Sequence, residues 1–252
     1  MNVAKRFRIK ISFEISALLN FISSKKIRAI ISKEVFVGDG IITLQIDPRS
    51  NKKLNTSFLE SFNSVPQQLK SLRDMYFRFG ILIWAMKQTQ EIKGSSGIVE
   101  CGVWYGVLSK ALINYFENQD SRTFYLFDSW GELNFEVEGF YKKGNYKNDI
   151  YDIVKTRFEE NNVRLVRGTL PNSLQNNLPK KVSLLLIDLN SGIVEGEVLK
   201  ICWPRIPKGG IVYFDDYNLG FPEVMRSIDL FVKQHNQNLL VFPTGQAIII
   251  KK

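Results

Sequence analysis

The polarity pattern changes character near Gly94-Ser95-Ser96-Gly97. Upstream, residues 65–92 read VPQQLKSLRDMYFRFGILIWAMKQTQEI, with apolar side chains at mixed spacings of three and four, the period of a helix that buries one face. Downstream, short apolar runs alternate with amphipathic stretches of helical length. The runs are GIVECG (97–102), TFYLFD (123–128), VRLVRG (163–168), VSLLLID (182–188), GIVYFDD (210–216), LLVFP (239–243) and AIIIKK (247–252). The first five stand far enough apart for crossover connections, which predicts parallel strands with helices on both faces. The last two are joined only by Thr244-Gly245-Gln246, too short for a crossover, and predict an antiparallel hairpin. The expectation is an α/β fold with a seven-stranded, mostly parallel sheet whose last strand is antiparallel, preceded by a helical segment.

Composition refines this picture at the N-terminus. The chain has 252 residues, 44% of them hydrophobic, enough for one substantial core. Its net charge of +9 is concentrated in residues 1–33, where Lys5, Arg6, Arg8, Lys10, Lys25, Lys26, Arg28 and Lys33 face a single acid, Glu14. The rest of the chain is close to neutral. Three parts are expected: a basic arm over 1–35, a helical cap over 36–96 and the sheet domain over 97–252.

The arm interleaves basic and apolar side chains. It suits an amphipathic helix lying on an anionic membrane surface, a solvated leader, or a contact between copies of the chain. Its longest apolar stretch, Ile15 to Ile22, is interrupted by polar residues and lacks a small-residue cleavage pattern, so a secretory signal is not expected. No basic stripe interleaved with aromatics marks the core, which argues against a nucleic-acid partner. The two cysteines, Cys101 and Cys202, lie in apolar segments and read as buried thiols of a cytoplasmic protein.

Candidate chemistry gathers where the strands end. In open α/β sheets ligands bind beyond the carboxyl ends of the strands, and the residues there are Glu100, Asp128, Gly168, Asp188, Asp215 and Asp216. A purely structural sheet has little reason to end so many buried strands in acids, because unpaired buried charge is costly. Gly102 and Gly106, between the first strand and the helix VLSKALINYF, allow a tight turn whose helix amides suit a carboxylate or a phosphate. The dinucleotide fingerprint G-x-G-x-x-G is not met, since Trp104 and Val107 stand where it needs glycine. Asp128 can accept hydrogen bonds from ribose hydroxyls, or it can cap the turn Ser129-Trp130-Gly131. Trp130 can cover an adenine or seal the sheet. His235 lies in a polar helix tail, FVKQHNQN, and is not a candidate catalyst.

The phrases IVECGVWYG, YLFDSWGEL, VRLVRGTLPNSL, LLLIDLNS and KGGIVYFDDY occur in this order. Together they resemble the macrocin O-methyltransferase (TylF-like) family of class I S-adenosylmethionine-dependent methyltransferases, which act on sugar hydroxyls. The resemblance runs from about Phe36 to Lys252. It takes in DGIITLQ and FRFGILIWAM, which are similar to the family's helical cap, with Arg78 and Trp84 at cap positions. It implies a Rossmann-like fold, S-adenosylmethionine as cofactor, and a small-molecule or glycan acceptor. The candidate cofactor contacts are then Glu100, Cys101, Gly102, Val103, Gly106, Asp128, Ser129, Gly168 and Asp188. The cap further suggests a self-associating surface.

Methyl transfer to a hydroxyl needs a base or a metal ion as well as alignment. With His235 set aside, the base must be a carboxylate, and Asp188, at the end of the fourth strand, is the best placed. Asp188, Asp215 and Asp216 converge on one crevice and would repel one another unless a cation neutralised them, for which Mg²⁺ is the economical choice. Relatives in the family bind a divalent metal with matching residues. Many of them read Asp-x-Asp-x-Tyr after the fourth strand, whereas here the run is Asp188-Leu189-Asn190-Ser191-Gly192. Glu195 either compensates for the missing acid or is simply a first-turn acid favoured by the helix dipole. Two other classes stay open at this point: a protein that binds the cofactor without transferring methyl, and another Rossmann-like nucleotide-dependent enzyme.

Overall fold

The computed structural model describes residues 36–37, 40–41, 52–63, 65–66, 77–92, 94, 96–131, 149–218 and 222–252. The chain divides into two compact units, residues 1–50 and 51–252. In the first, β1 (Phe36–Val37) and β2 (Gly40–Ile41) pair antiparallel, so part of the stretch expected to be helical is a short ribbon. The basic arm, and the membrane contact expected of it, lie outside the described residues.

The second unit holds two helices, α1 (Lys52–Glu60) and α2 (Phe77–Gln90), ahead of the sheet. Then follow β3 (Gly97–Cys101), α3 (Val107–Phe116), β4 (Phe124–Asp128), α4 (Tyr151–Phe158), β5 (Val163–Arg167), β6 (Val182–Ile187), α5 (Gly192–Cys202), β7 (Ile211–Phe214), α6 (Pro222–Gln234), β8 (Leu239–Val241) and β9 (Ala247–Ile250). The sheet order is β5-β4-β3-β6-β7-β9-β8. All pairs from β5 to β7 are parallel, while β9 runs antiparallel to both β7 and β8. The seven apolar runs read from the sequence are these seven strands. The order reverses direction between β3 and β6, and such a reversal is where the crevice of an open α/β sheet lies.

Side-chain alternation along each strand divides the core into two layers. Ile98, Leu126, Leu184, Leu186, Ile211 and Tyr213 face α1, α2, α3 and α4. Val99, Phe127, Leu185, Ile187, Val212 and Phe214 face α5 and α6. Because β3, β6 and β7 are buried on both faces, they read as continuous apolar runs, as central parallel strands do. Among the described residues no helix is long and apolar enough to cross a membrane. Both cysteines are buried and unpaired.

Candidate active site

The site begins where β3 gives way to the glycine loop. Gly102 (φ 85°) and Gly106 (φ 71°) adopt the left-handed conformation that glycine enters without strain. At Gly102 the reason is also a close approach, since a β-carbon there would stand 1.9 Å from the carbonyl oxygen of Asp188. The loop is thus laid directly on the end of β6. A hydrogen bond ties the same two strand ends, the Asp188 amide donating to the Cys101 carbonyl at 3.0 Å. Helix α3 then starts at Gly106, which makes no side-chain cap, while the Ser109 amide of its first turn donates to the Glu100 carboxyl.

Asp128, at the end of β4, holds the loop from the other side. Its Oδ2 accepts the backbone N–H groups of Val103 (2.7 Å) and Trp104 (2.9 Å), and its Oδ1 accepts that of Trp130 (3.0 Å). The carboxylate therefore joins the glycine loop to the turn after β4, including the turn-capping role weighed from sequence. Ser129 closes this turn, its hydroxyl 3.4 Å from the Gly131 carbonyl. Trp130 is fully buried and donates its Nε1–H to the Trp104 carbonyl at 3.0 Å, so it seals the loop from behind. Gly168 follows β5, its amide bonded to the Asp128 carbonyl at 2.9 Å.

Glu100 and Cys101 lie deeper. The Glu100 carboxyl is buried, takes a hydrogen bond from the Ser109 hydroxyl of α3, and is pushed up to about 8 chiefly by burial. Burial likewise raises the Cys101 thiol well above its ordinary value, which leaves it an unreactive packing group. The raised Glu100 value has a consequence for stability. Its folded-state pKa exceeds the unfolded 4.5, so its contribution is complete below pH 4.5 and is lost as pH rises through about 8. Glu100→Gln is expected to flatten the fall in denaturation free energy between pH 5.5 and 8.5, measured by urea titration at each pH. An unchanged slope would show that Glu100 is ionised in the fold.

The acids expected to converge do so. Asp188, Asp215 and Asp216 each offer a carboxylate oxygen within 4.8 Å of the others. Burial, then the neighbouring charges of Asp215 and Asp216, drive the Asp188 carboxyl well above the usual range. Asp216 is pushed up to about 6 by burial and by Asp215. Asp215 is almost wholly buried and held from both sides, by the Tyr213 hydroxyl at 2.6 Å on Oδ1 and by the Arg78 guanidinium on Oδ2. Its carbonyl accepts the side-chain amide of Gln246 at 3.1 Å, and Gln246 in turn accepts the Thr244 hydroxyl at 2.6 Å. The hairpin residues read first as a turn thus brace the cluster. Three hard oxygen donors at this spacing fit a divalent ion such as Mg²⁺, even with one guanidinium already present.

The departures after β6 also have physical reasons. Asn190 sits at φ 54°, a left-handed position that asparagine tolerates better than most residues. At Gly192 a β-carbon would lie 2.3 Å from the Glu223 carbonyl oxygen, so the approach of α6 leaves no room for a tyrosine. Glu195 is buried and accepts backbone N–H groups of Leu189, Asn190 and Ser191, while burial pushes it up to about 8. It therefore organises the loop that follows Asp188. His235, in the turn that follows α6, stacks on Phe231 of that helix with ring centroids 3.9 Å apart. Neither Arg78 as a partner of the acids nor Gln246 as their brace carries a local sequence signal, because both contacts join segments distant along the chain.

The sequence profile of a family described as a methyltransferase domain matches residues 99–217, the span from the glycine loop to the end of the acidic cluster. No curated protein matches the chain. Among solved structures, the O-methyltransferase NovP is 18% identical over 69% of this chain and 79% of its own, with a TM-score of 0.57. The TDP-rhamnose 3'-O-methyltransferase CalS11 of calicheamicin biosynthesis is 19% identical over 82% of this chain and 96% of its own, with a TM-score of 0.51. The Podospora anserina methyltransferase PaMTH1, solved with S-adenosylhomocysteine, is 13% identical over 90% and 94%, with a TM-score of 0.56. At these identities the likeness establishes the fold. With a matching methyltransferase domain set on a Rossmann-like, seven-stranded class I sheet, the chain is an S-adenosylmethionine-dependent methyltransferase.

Proposed function

We propose that the chain methylates a hydroxyl oxygen of a sugar or a related small-molecule or glycan acceptor, in the manner of TylF-like enzymes, with a divalent ion assisting. The observation that carries this reading is the double role of Asp188: its backbone is packed against the glycine loop at Gly102, and its carboxylate belongs to the acidic cluster. Donor and acceptor sites are thereby adjacent. The O-methyltransferase NovP and the TDP-rhamnose O-methyltransferase CalS11, built on the same fold, support the choice of oxygen as the atom methylated.

S-adenosylmethionine supplies an electrophilic methyl group on a sulfonium, ready for in-line displacement. Gly102, Val103, Gly106 and the start of α3 would receive its amino-acid end, with Glu100, which holds the Ser109 amide, and Cys101 supporting them from β3. Asp128, Ser129 and Gly168 line the side where the nucleoside would lie, and a carboxylate at the end of β4 is of the chemistry that receives ribose hydroxyls. Asp188 would take the acceptor proton at its carboxylate, which stands at the end of β6 beside the glycine loop. Asp188, Asp215 and Asp216 would hold the ion, which supplies positive charge that acidifies the acceptor hydroxyl. The short Gly192 and left-handed Asn190 shape the acceptor side of the same crevice. The basic arm would bring the enzyme to glycans at an anionic membrane surface, and the half-exposed Trp84 of α2 offers a surface for self-association.

Incubation with methyl-labelled S-adenosylmethionine and a panel of nucleotide sugars and free glycosides tests the reading. Label is expected in a base-stable sugar methyl ether, and EDTA is expected to lower the rate. Label on nitrogen, or full turnover in the presence of EDTA, would contradict the oxygen and metal parts respectively.

A further inference from the structure

Arg78 reaches the acidic cluster from the first turn of α2, a segment far upstream of the sheet. Its Nη1 donates to Asp215 Oδ2, and its Nη2 stands 3.9 Å from Asp216 Oδ1. The side chain is 13% exposed and its Nε is buried without a partner, so the guanidinium has been drawn out of water towards these two carboxylates. An arginine stays charged in such a setting and presents a planar fork that matches carboxylates. The other Asp215 oxygen accepts the neutral hydroxyl of Tyr213, so the positive charge beside this carboxylate comes from Arg78.

We propose that Arg78 is a built-in rival to the divalent ion: by holding Asp215 and facing Asp216, it occupies two of the three carboxylates and sets how tightly the cluster binds metal. This rests on the reading of Asp188, Asp215 and Asp216 as a metal site. The guanidinium and a metal ion are attracted by the same oxygens and repel each other at close range. A cluster that contains Arg78 therefore carries one positive charge when metal-free and binds an added cation more weakly than three bare carboxylates would. Arg78 acts here as a positioning residue, through the carboxylates.

The test is Mn²⁺ binding to the full chain, read from the electron paramagnetic resonance signal of free Mn²⁺, for the wild type, Arg78→Met and Arg78→Met/Asp215→Asn. Arg78→Met is expected to bind Mn²⁺ about tenfold or more tightly than the wild type. The double variant, which lacks both the rival and one ligand, is expected to fall back to wild-type affinity or below. Equal or weaker binding by Arg78→Met overturns the proposal and leaves the metal site standing. Undetectable binding by the wild type and Arg78→Met alike overturns both. Should Arg78→Met unfold without metal, recovery of its circular dichroism on adding Mn²⁺ supports the rivalry. No recovery while the double variant folds overturns it, as does failure of both variants to fold, which would make Arg78 a structural clamp.

Discussion

Asp188→Asn is expected to lower kcat by roughly two to four orders of magnitude, the range lost when a positioned general base is removed, while leaving S-adenosylhomocysteine affinity nearly unchanged. The asymmetry follows from how Asp188 is attached. Its backbone amide and carbonyl face the β3 end and the glycine loop, and neither contact depends on the side chain. Its carboxyl stands among Asp215 and Asp216 and would meet the acceptor. An asparagine preserves the shape, removes the site for the proton, and relieves repulsion inside the cluster, so thermal stability should not fall. Steady-state kinetics together with calorimetric titration of S-adenosylhomocysteine separate the two effects. A variant that loses cofactor affinity and kcat together would place Asp188 in the donor site rather than at the acceptor. A variant with unchanged kcat would exclude it as the base.

Gly102→Ala is expected to be the most damaging small substitution in the glycine loop. The added β-carbon meets the Asp188 backbone at 1.9 Å, where no side-chain rotamer can yield, and the residue sits at φ 85°. Overpacking typically costs about 1–3 kcal/mol, and a left-handed conformation costs a non-glycine residue roughly 1–2 kcal/mol more. A combined loss of about 3 kcal/mol corresponds to a fall in Tm of roughly 6–12 °C for a domain of this size. Because the loop and β6 must separate to admit the methyl group, S-adenosylhomocysteine binding should weaken with stability. Differential scanning fluorimetry with and without S-adenosylhomocysteine checks both. A melting temperature within a degree or two of wild type would mean that the loop does not rest on Asp188.

The strands and their directions were legible because each is a run of apolar residues of the right length, and the spacing between runs decides crossover or hairpin. Thr244-Gly245-Gln246 is the clearest case, as a three-residue link admits only an antiparallel partner. The acids at strand ends were legible for the same reason: once β6 and β7 are neighbours, Asp188, Asp215 and Asp216 must approach one another. What was not legible depends on partners that the local pattern does not encode. The fork of Arg78 on Asp215 joins residues 137 positions apart. Asp128 could be placed at the end of β4, but that its carboxylate collects three backbone amides follows only from how the loop folds back over it. Glu195 read first as a first-turn acid and only second as a replacement ligand. Its burial under the 189–191 loop follows from the turn at Asn190, a conformation that an asparagine permits without requiring. The glycine at 192 likewise looked like a lost tyrosine until the approach of α6 accounted for it.

The measurement closest to the central claim is isothermal titration of the purified chain with S-adenosylhomocysteine, with NAD⁺ as the control nucleotide. The glycine loop, the joint at Asp128 and the start of α3 predict saturable one-to-one binding of S-adenosylhomocysteine and none of NAD⁺, whose phosphates require glycines that this loop lacks. Absence of S-adenosylhomocysteine binding, or binding of NAD⁺ in its place, would contradict the assignment.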